Sequence, residues 1–485
     1  MKSFTNRIFD SKRYSNLAAL WFLACFFCLN LTVHGQAVPL QTSVVADFEV
    51  DADAYSGIFE LPDGTVTLTD DWLQGAAGMG VIDETSPENA ATRAALLAGD
   101  NIQAEFRMSQ PFGYLDGNFN RWLDAIYARD QHTKGGEMDL TVFGGGDDKN
   151  FDDPSTWSYK EGDTPQKNDI IDVYAHIRRS AGTQNLWVFF GATTRSPNGN
   201  NYLDFEVFRS DVEYDPVSES LINTGPNCGH TAYTFFPDGS PDQKGDLIFS
   251  ANYTNGGAAA DIRVYAWIDS FFVAALTGDP NVLTDDDFIA YNALGGLNSF
   301  TFGDALTGPI NYEFYPCNNT NGEQYGYARI VPVSNVPGVS AIVAQDNTTG
   351  DVNAPSWKTI GTDGNVTEFY VAPTFAEFGI NATLLGIDGT VTSGSCENIL
   401  GSILVKSRSS TSFTSELKDG SGPYPLGDTP EYSVSVEKDG DLNCVNLDVL
   451  LTATALPPGT YLYEWFKDGE LTPVQSGPEN TLLVT

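Results

Sequence analysis

The densest set of potential metal ligands is the stretch GGGDDKNFDDPSTW at residues 144–157. Asp147, Asp148, Asp152 and Asp153 could supply four of the six to eight oxygens that calcium takes, with the glycines permitting a tight wrap. The spacing is neither an EF-hand loop, D-x-D-x-D-G with a glutamate at its twelfth position, nor a glycine–aspartate nonapeptide repeat. A solvated turn joining two strands accounts for the same residues and is the preferred reading, with calcium as the alternative. The same choice applies to VDADAY (50–55), TDDDF (284–288) and KDGD (438–441). Calcium is the one cofactor that these residues raise.

Carboxylate catalysis has one foothold. GEMDLTVF (136–143) resembles the E-x-D-x-x-E strand of laminarinase-type β-sandwich hydrolases, where two glutamates act as nucleophile and acid/base. Glu137 and Asp139 would share one face of the strand, but Val142 stands where the second glutamate belongs, so the proton donor is missing. The resemblance implies at most a lapsed hydrolase. Other nucleophilic arrangements are thin. Past the first 37 residues the histidines are His132, His176 and His230. His176 lies on the polar side of a strand beside Arg178 and reads as a sheet-surface residue. His230 follows Cys228-Gly229 and reads as a loop histidine beside a disulfide cysteine. GxSxG, HExxH and GKS/GKT do not occur. No catalytic residue is assigned. For binding, Trp157 with Tyr159, and Tyr265 with Trp267, could form a ring platform for a sugar, if those side chains point outward.

The chain that must position these residues is acidic, with 64 Asp and Glu against 25 Lys and Arg and a net charge of −39. Such a surface repels phosphate backbones and anionic lipid heads, which excludes nucleic acid and direct membrane binding as leading partners. The first 37 residues have Lys2, Arg7, Lys12 and Arg13 ahead of the apolar run LAALWFLACFFCLNLTV and the small-residue segment HGQA, the layout of a secretory signal peptide. The expected setting is therefore extracellular, and the expected partners are an extracellular protein or a glycan surface. Four cysteines follow: Cys228, Cys317, Cys396 and Cys444. Their three connectivities stay open, and their wide spacing argues against zinc.

Strand signals recur from about Val44. IIDVYAHI (170–177), NLWVFFGA (185–192), YLDFEVF (202–208), DLIFSANY (246–253) and DIRVYAWI (261–268) alternate with period two. One apolar and one polar face predicts antiparallel strands packed on one side, with the last two joined as a hairpin. Short helices are expected over 87–99, with Ser86 as cap, and over 283–294, where Thr284 precedes Asp287 by three. The fold class is all-β: an antiparallel, jelly-roll-like sandwich over 38–428, then an incomplete immunoglobulin-like sandwich over 429–485. In the latter, Cys444, the alternating Leu447, Val449 and Leu451, and Trp465 before KDG carry the pattern. It supplies about 55 residues where such a fold wants about 100, so further modules are expected downstream.

Taken together and in order, DLTVFGGGDDKNFDDPSTWSY, PQKNDIIDVYAHI, LWVFFGATT, GDLIFSANYTNGGAAADIRVYAWI, APTFAEFGINATLLG and CENILGSILVKSRSSTSFTSELKD resemble the conserved N-terminal domain of large secreted bacterial surface proteins. The half-module after it resembles the immunoglobulin-like repeats of adhesins from gliding bacteria. The resemblance implies an extracellular, modular, adhesive protein without catalytic residues. The alternative is a carbohydrate-binding or lapsed glycosidase sandwich with calcium-stabilised loops.

Overall fold

The computed structural model describes residues 37–427 and 433–484, apart from 61–65, 134–137, 145, 158, 254–258, 280–281, 296–299, 307, 319–323, 333–340, 389–399, 441–447, 457–462 and 468–472. Residues 1–36, Glu137, Cys396 and Cys444 thus lie outside the described residues. The chain divides into two compact units, one ending at Gly427 and one spanning Asp428–Thr485. Strands make up 47% of the described residues and helix 8%, so the fold is all-β.

Two antiparallel sheets form the first unit. The smaller runs Ile342–Asp346, Phe375–Asn381, Leu186–Thr194, Ile170–Arg179, Arg121–Arg129, Ala104–Arg107 in spatial order. The larger runs Phe300–Phe302, Tyr325–Pro332, Ala259–Asp269, Leu247–Tyr253, Asn201–Phe208, Ser402–Arg408, Leu417–Pro425, Asp139–Phe143, Tyr159–Gly162, with Ala37–Pro39 and Phe314–Pro316 pairing beside it. Leu186–Thr194 and Asn201–Phe208 are consecutive strands in different sheets, so the chain crosses the sandwich at the turn between them. The predicted hairpin is present, with Leu247 opposite Ala266 and Asn252 opposite Asp261.

Period two explains the layering. Val173, Ala175, Ile177, Phe190, Phe205, Phe249, Val264 and Val405 point between the sheets into one core. Their neighbours point outward but do not meet water. Loops before residue 121 and around 350–375 cover the smaller sheet, enclosing Phe48, Trp72, Trp122, Tyr127, Tyr174, Phe189 and Trp357. Two further clusters cover the larger sheet, one around Trp157 and Leu404, one around Trp267 and Phe413. The expectation of one solvated face per strand is corrected here: Asp172, Tyr174 and His176 are all buried. Burying those polar groups is tolerable only when they are paired. Asp172 accepts hydrogen bonds from Tyr127 Oη (2.6 Å), Arg129 Nε (2.5 Å) and Thr359 Oγ1 (2.6 Å). On the larger sheet Arg408 Nε lies 2.6 Å from Asp204 and Lys406 Nζ 2.5 Å from Glu206, all four side chains buried.

The helix Asp285–Leu294 starts where expected, with Asp287 Oδ2 accepting from Thr284 N and Oγ1 at 2.7 Å each. Ala90–Ala98 follows a short 3₁₀ turn and ends on Gly99 at φ 88°, but Ser86 makes no capping hydrogen bond. No helix among the described residues is long and apolar enough to cross a membrane. Cys228 and Cys317 form a disulfide. In the second unit Ser433–Lys438, Val449–Leu456 and Thr481–Val484 make one sheet, and Tyr463–Trp465 pairs with Gln475–Gly477.

Candidate carboxylate centres

The acidic loop of 144–157 is held by hydrogen bonds to Asp152 and Asp153. Asp152 accepts from Lys149 N at 2.8 Å and Asn318 Nδ2 at 2.5 Å. Asp153 caps the turn Pro154–Thr156 through Ser155 N at 2.9 Å. Asp147 is exposed. Burial first, then Asp152 and Asp147, push the Asp148 carboxyl up to about 6. Among the described residues no three of these carboxylates converge as a ligand set; amides face Asp152 and Asp153, while Asp148 Oδ2 is enclosed and receives no hydrogen bond from the described residues.

The ring platform is likewise not there. Trp157, Tyr159, Tyr265 and Trp267 are each at most 2% exposed and offer no face to a sugar. Trp157 and Tyr159 pack edge-on against Phe143, Tyr265 stacks on Phe413 and Trp267 on His230. Loops laid over the outward face of the strands are the reason. The histidines are also internal. His176, expected at the sheet surface, is buried, with Nδ1 on the Asp124 carbonyl at 2.7 Å and Nε2 accepting from Arg178 Nε at 2.9 Å. Burial and then the Arg178 charge hold it well below the usual imidazole range, so it is neutral. His230 lies 3.0 Å from Glu206 and 3.1 Å from the Cys228 carbonyl, inside a buried group that includes Lys406 and Tyr327. His132 is buried as well.

Asp139 leads to a centre the sequence did not announce. It opens its strand, is fully buried, and spends Oδ1 on Thr141 N and Oγ1, both at 2.8 Å. One carboxylate oxygen from each of Asp139, Asp169 and Asp419 lies within 4.8 Å of the others, with Asp130 bonded to the same Thr141 hydroxyl. Asp419 Oδ2 accepts from Ile170 N at 2.7 Å, and Arg195 Nε stands 2.8 Å from Asp169. Burial, reinforced at Asp130 and Asp419 by mutual repulsion, raises the carboxyls of Asp130, Asp139 and Asp419. Arg195 offsets part of the charge through Asp169. A hydrolytic pair needs an opening to its substrate; this group is closed.

A second centre gathers Asp51, Asp53 and Asp71, whose carboxylate oxygens also fall within 4.8 Å of one another. Glu377, buried on the outward side of its strand, lies under them: its Oε1 accepts from Asp51 N and Ala52 N at 2.5 Å each, and its Oε2 from Trp72 Nε1 at 2.9 Å. Asp51 and Asp53 belong to the VDADAY motif; Asp71 and Glu377 carried no local signal, because only the tertiary fold brings them there. A separate open cavity of about 310 Å³ is lined by Asp47, Thr67, Asn118, Asn120 and Ser180 among others, with no aromatic ring.

No protein-family model, no curated protein and no solved structure matches the chain.

Proposed function

We propose that this is a secreted, non-enzymatic surface protein that engages an extracellular protein or glycan without transforming it. The acidic composition, the leader-like N-terminus and the resemblance to modular surface proteins support that reading. The observation that carries it is the enclosure of Asp139. The described member of the hydrolase-like pair is fully buried and bonded to Thr141 among other aspartates, where a polysaccharide does not reach. Rigid sheets with buried ion pairs hold loops at the surface, the arrangement binding proteins use to present variable contacts.

The carbohydrate-binding alternative is favoured by one feature, the polar cavity lined by Asp47, Thr67, Asn118 and Ser180, whose amide, hydroxyls and carboxylate suit sugar hydroxyls. Retention of the purified protein on a glycan array and on immobilised extracellular proteins tests both readings. Saturable binding to either surface supports the proposal, and loss of sugar retention in Asn118→Ala would locate it in the cavity. Absence of binding to every surface would leave a purely structural stalk.

A further inference from the structure

We propose that Asp51, Asp53 and Asp71 bind a divalent cation of the calcium class, with Glu377 as a positioning residue beneath them. The turn after the strand Phe48–Val50 takes Ala52 to φ 66°, and the successive amides of Asp51 and Ala52 both donate to Glu377 Oε1. A left-handed alanine costs energy unless its surroundings fix it; two charge-assisted hydrogen bonds do so here. Asp51 and Asp53, two residues apart, are thereby brought beside Asp71, which comes from a different segment.

Each of the three acids is held by one oxygen. Asp51 Oδ1 accepts from Asp53 N at 3.0 Å, Asp53 Oδ1 from Tyr55 N at 2.7 Å, and Asp71 Oδ1 from Trp72 N at 2.7 Å. Asp71 Oδ2 is wholly enclosed and receives no hydrogen bond from the described residues. A buried carboxylate oxygen without a donor carries a substantial desolvation cost. Nothing basic meets it. Among the described residues no lysine, arginine or histidine forms an ion pair with Asp51, Asp53, Asp71 or Glu377. That separates this group from the Asp139 centre, where Arg195 is in contact, and from Glu206, where Lys406 is.

The ligand chemistry is all oxygen, which disfavours zinc and suits a hard cation. Asp51 and Asp53 are only half-buried, so water can complete an irregular shell of six to eight, the kind calcium accepts and magnesium resists. Glu49, on the strand Phe48–Val50 that leads into the turn, adds negative charge from the side.

Chelator-stripped protein titrated with Ca²⁺ by calorimetry, and with Tb³⁺ by luminescence sensitised through Trp72, tests the site. One cation should bind per chain at this centre. Asp53→Asn, at a half-exposed position and with its folding checked by circular dichroism, should weaken binding about tenfold or more. Glu377→Gln should weaken it by about 10–100-fold, as loss of an orienting group does. Binding unchanged in both Asp53→Asn and Asp71→Asn would overturn the assignment, since the ion would then sit elsewhere. So would a well-folded protein that takes up neither ion, which would mean that protons alone neutralise the group.

Discussion

Asp172 offers the sharpest quantitative test of a sandwich whose outward strand faces are also interior. Its carboxylate is fully buried and takes hydrogen bonds from Tyr127, Arg129 and Thr359, while Arg129 is itself 2% exposed. Asp172→Ala removes three partners at once and strands the guanidinium, which keeps the Lys358 carbonyl at 2.6 Å. An uncompensated buried charge of this kind costs about 3–5 kcal/mol, against about 5–15 kcal/mol for a whole domain. With a urea m-value of about 3 kcal/mol/M, the unfolding midpoint should drop by roughly 1–1.7 M. Asp172→Ala/Arg129→Met removes both charges and should recover part of the loss, because the penalty lies in the unpaired ion more than in the missing pair. Urea unfolding followed by tryptophan fluorescence reads all three proteins. A cost below about 1 kcal/mol for the single variant, as for an exposed pair, or a double variant no more stable than the single, would refute the argument.

Lys406→Met should be similarly costly, about 3–5 kcal/mol, because Glu206 loses the contact at 2.5 Å; Glu206→Gln in the same chain should restore part of it in thermal melts. Burial opposes ionisation of Glu206, but Lys406 and then His230 outweigh it and hold its carboxyl below the ordinary range. Its contribution is therefore present above the ordinary carboxylate pKa and lost as pH falls through the lowered value, so acid unfolding of Lys406→Met should begin at higher pH. Glu49 and Asp51 act with the opposite sign. Their raised values, about 7 and about 6, mean stability in chelator should fall as pH rises from about 4 to about 7, measured as a declining Tm, with added Ca²⁺ countering the decline. Reducing Cys228–Cys317, which closes a separation of 89 residues, should cost about 4–5 kcal/mol on loop-entropy grounds, read as a lower urea midpoint in dithiothreitol.

The strands were legible because alternation survives burial. In DIRVYAWI, Val264, Ala266 and Ile268 join the central core while Tyr265 and Trp267 join the outer one. What alternation does not reveal is whether the second face meets water or a loop. Charged and aromatic residues there read as exposed, and here they are enclosed with partners supplied by distant segments. Thr284 and Asp287 were legible as a cap because three residues span one turn. The carboxylate centres were not. Trp72 meets Glu377 across 305 residues, and Asp419 meets Ile170 across 249. No local spacing records such a meeting; only the order of strands in the sheets does. The Asp147 loop illustrates the converse. Its aspartates are neighbours in sequence, yet among the described residues no three of their carboxylates come together in space.

Binding without turnover is most directly tested by incubating the purified protein with a panel of extracellular polysaccharides and measuring retained ligand and new reducing ends together. The account predicts that any retained polysaccharide is recovered at full length, with reducing ends at the level of a protein-free control. Accumulating reducing ends that disappear in a folded Asp139→Asn variant would contradict it.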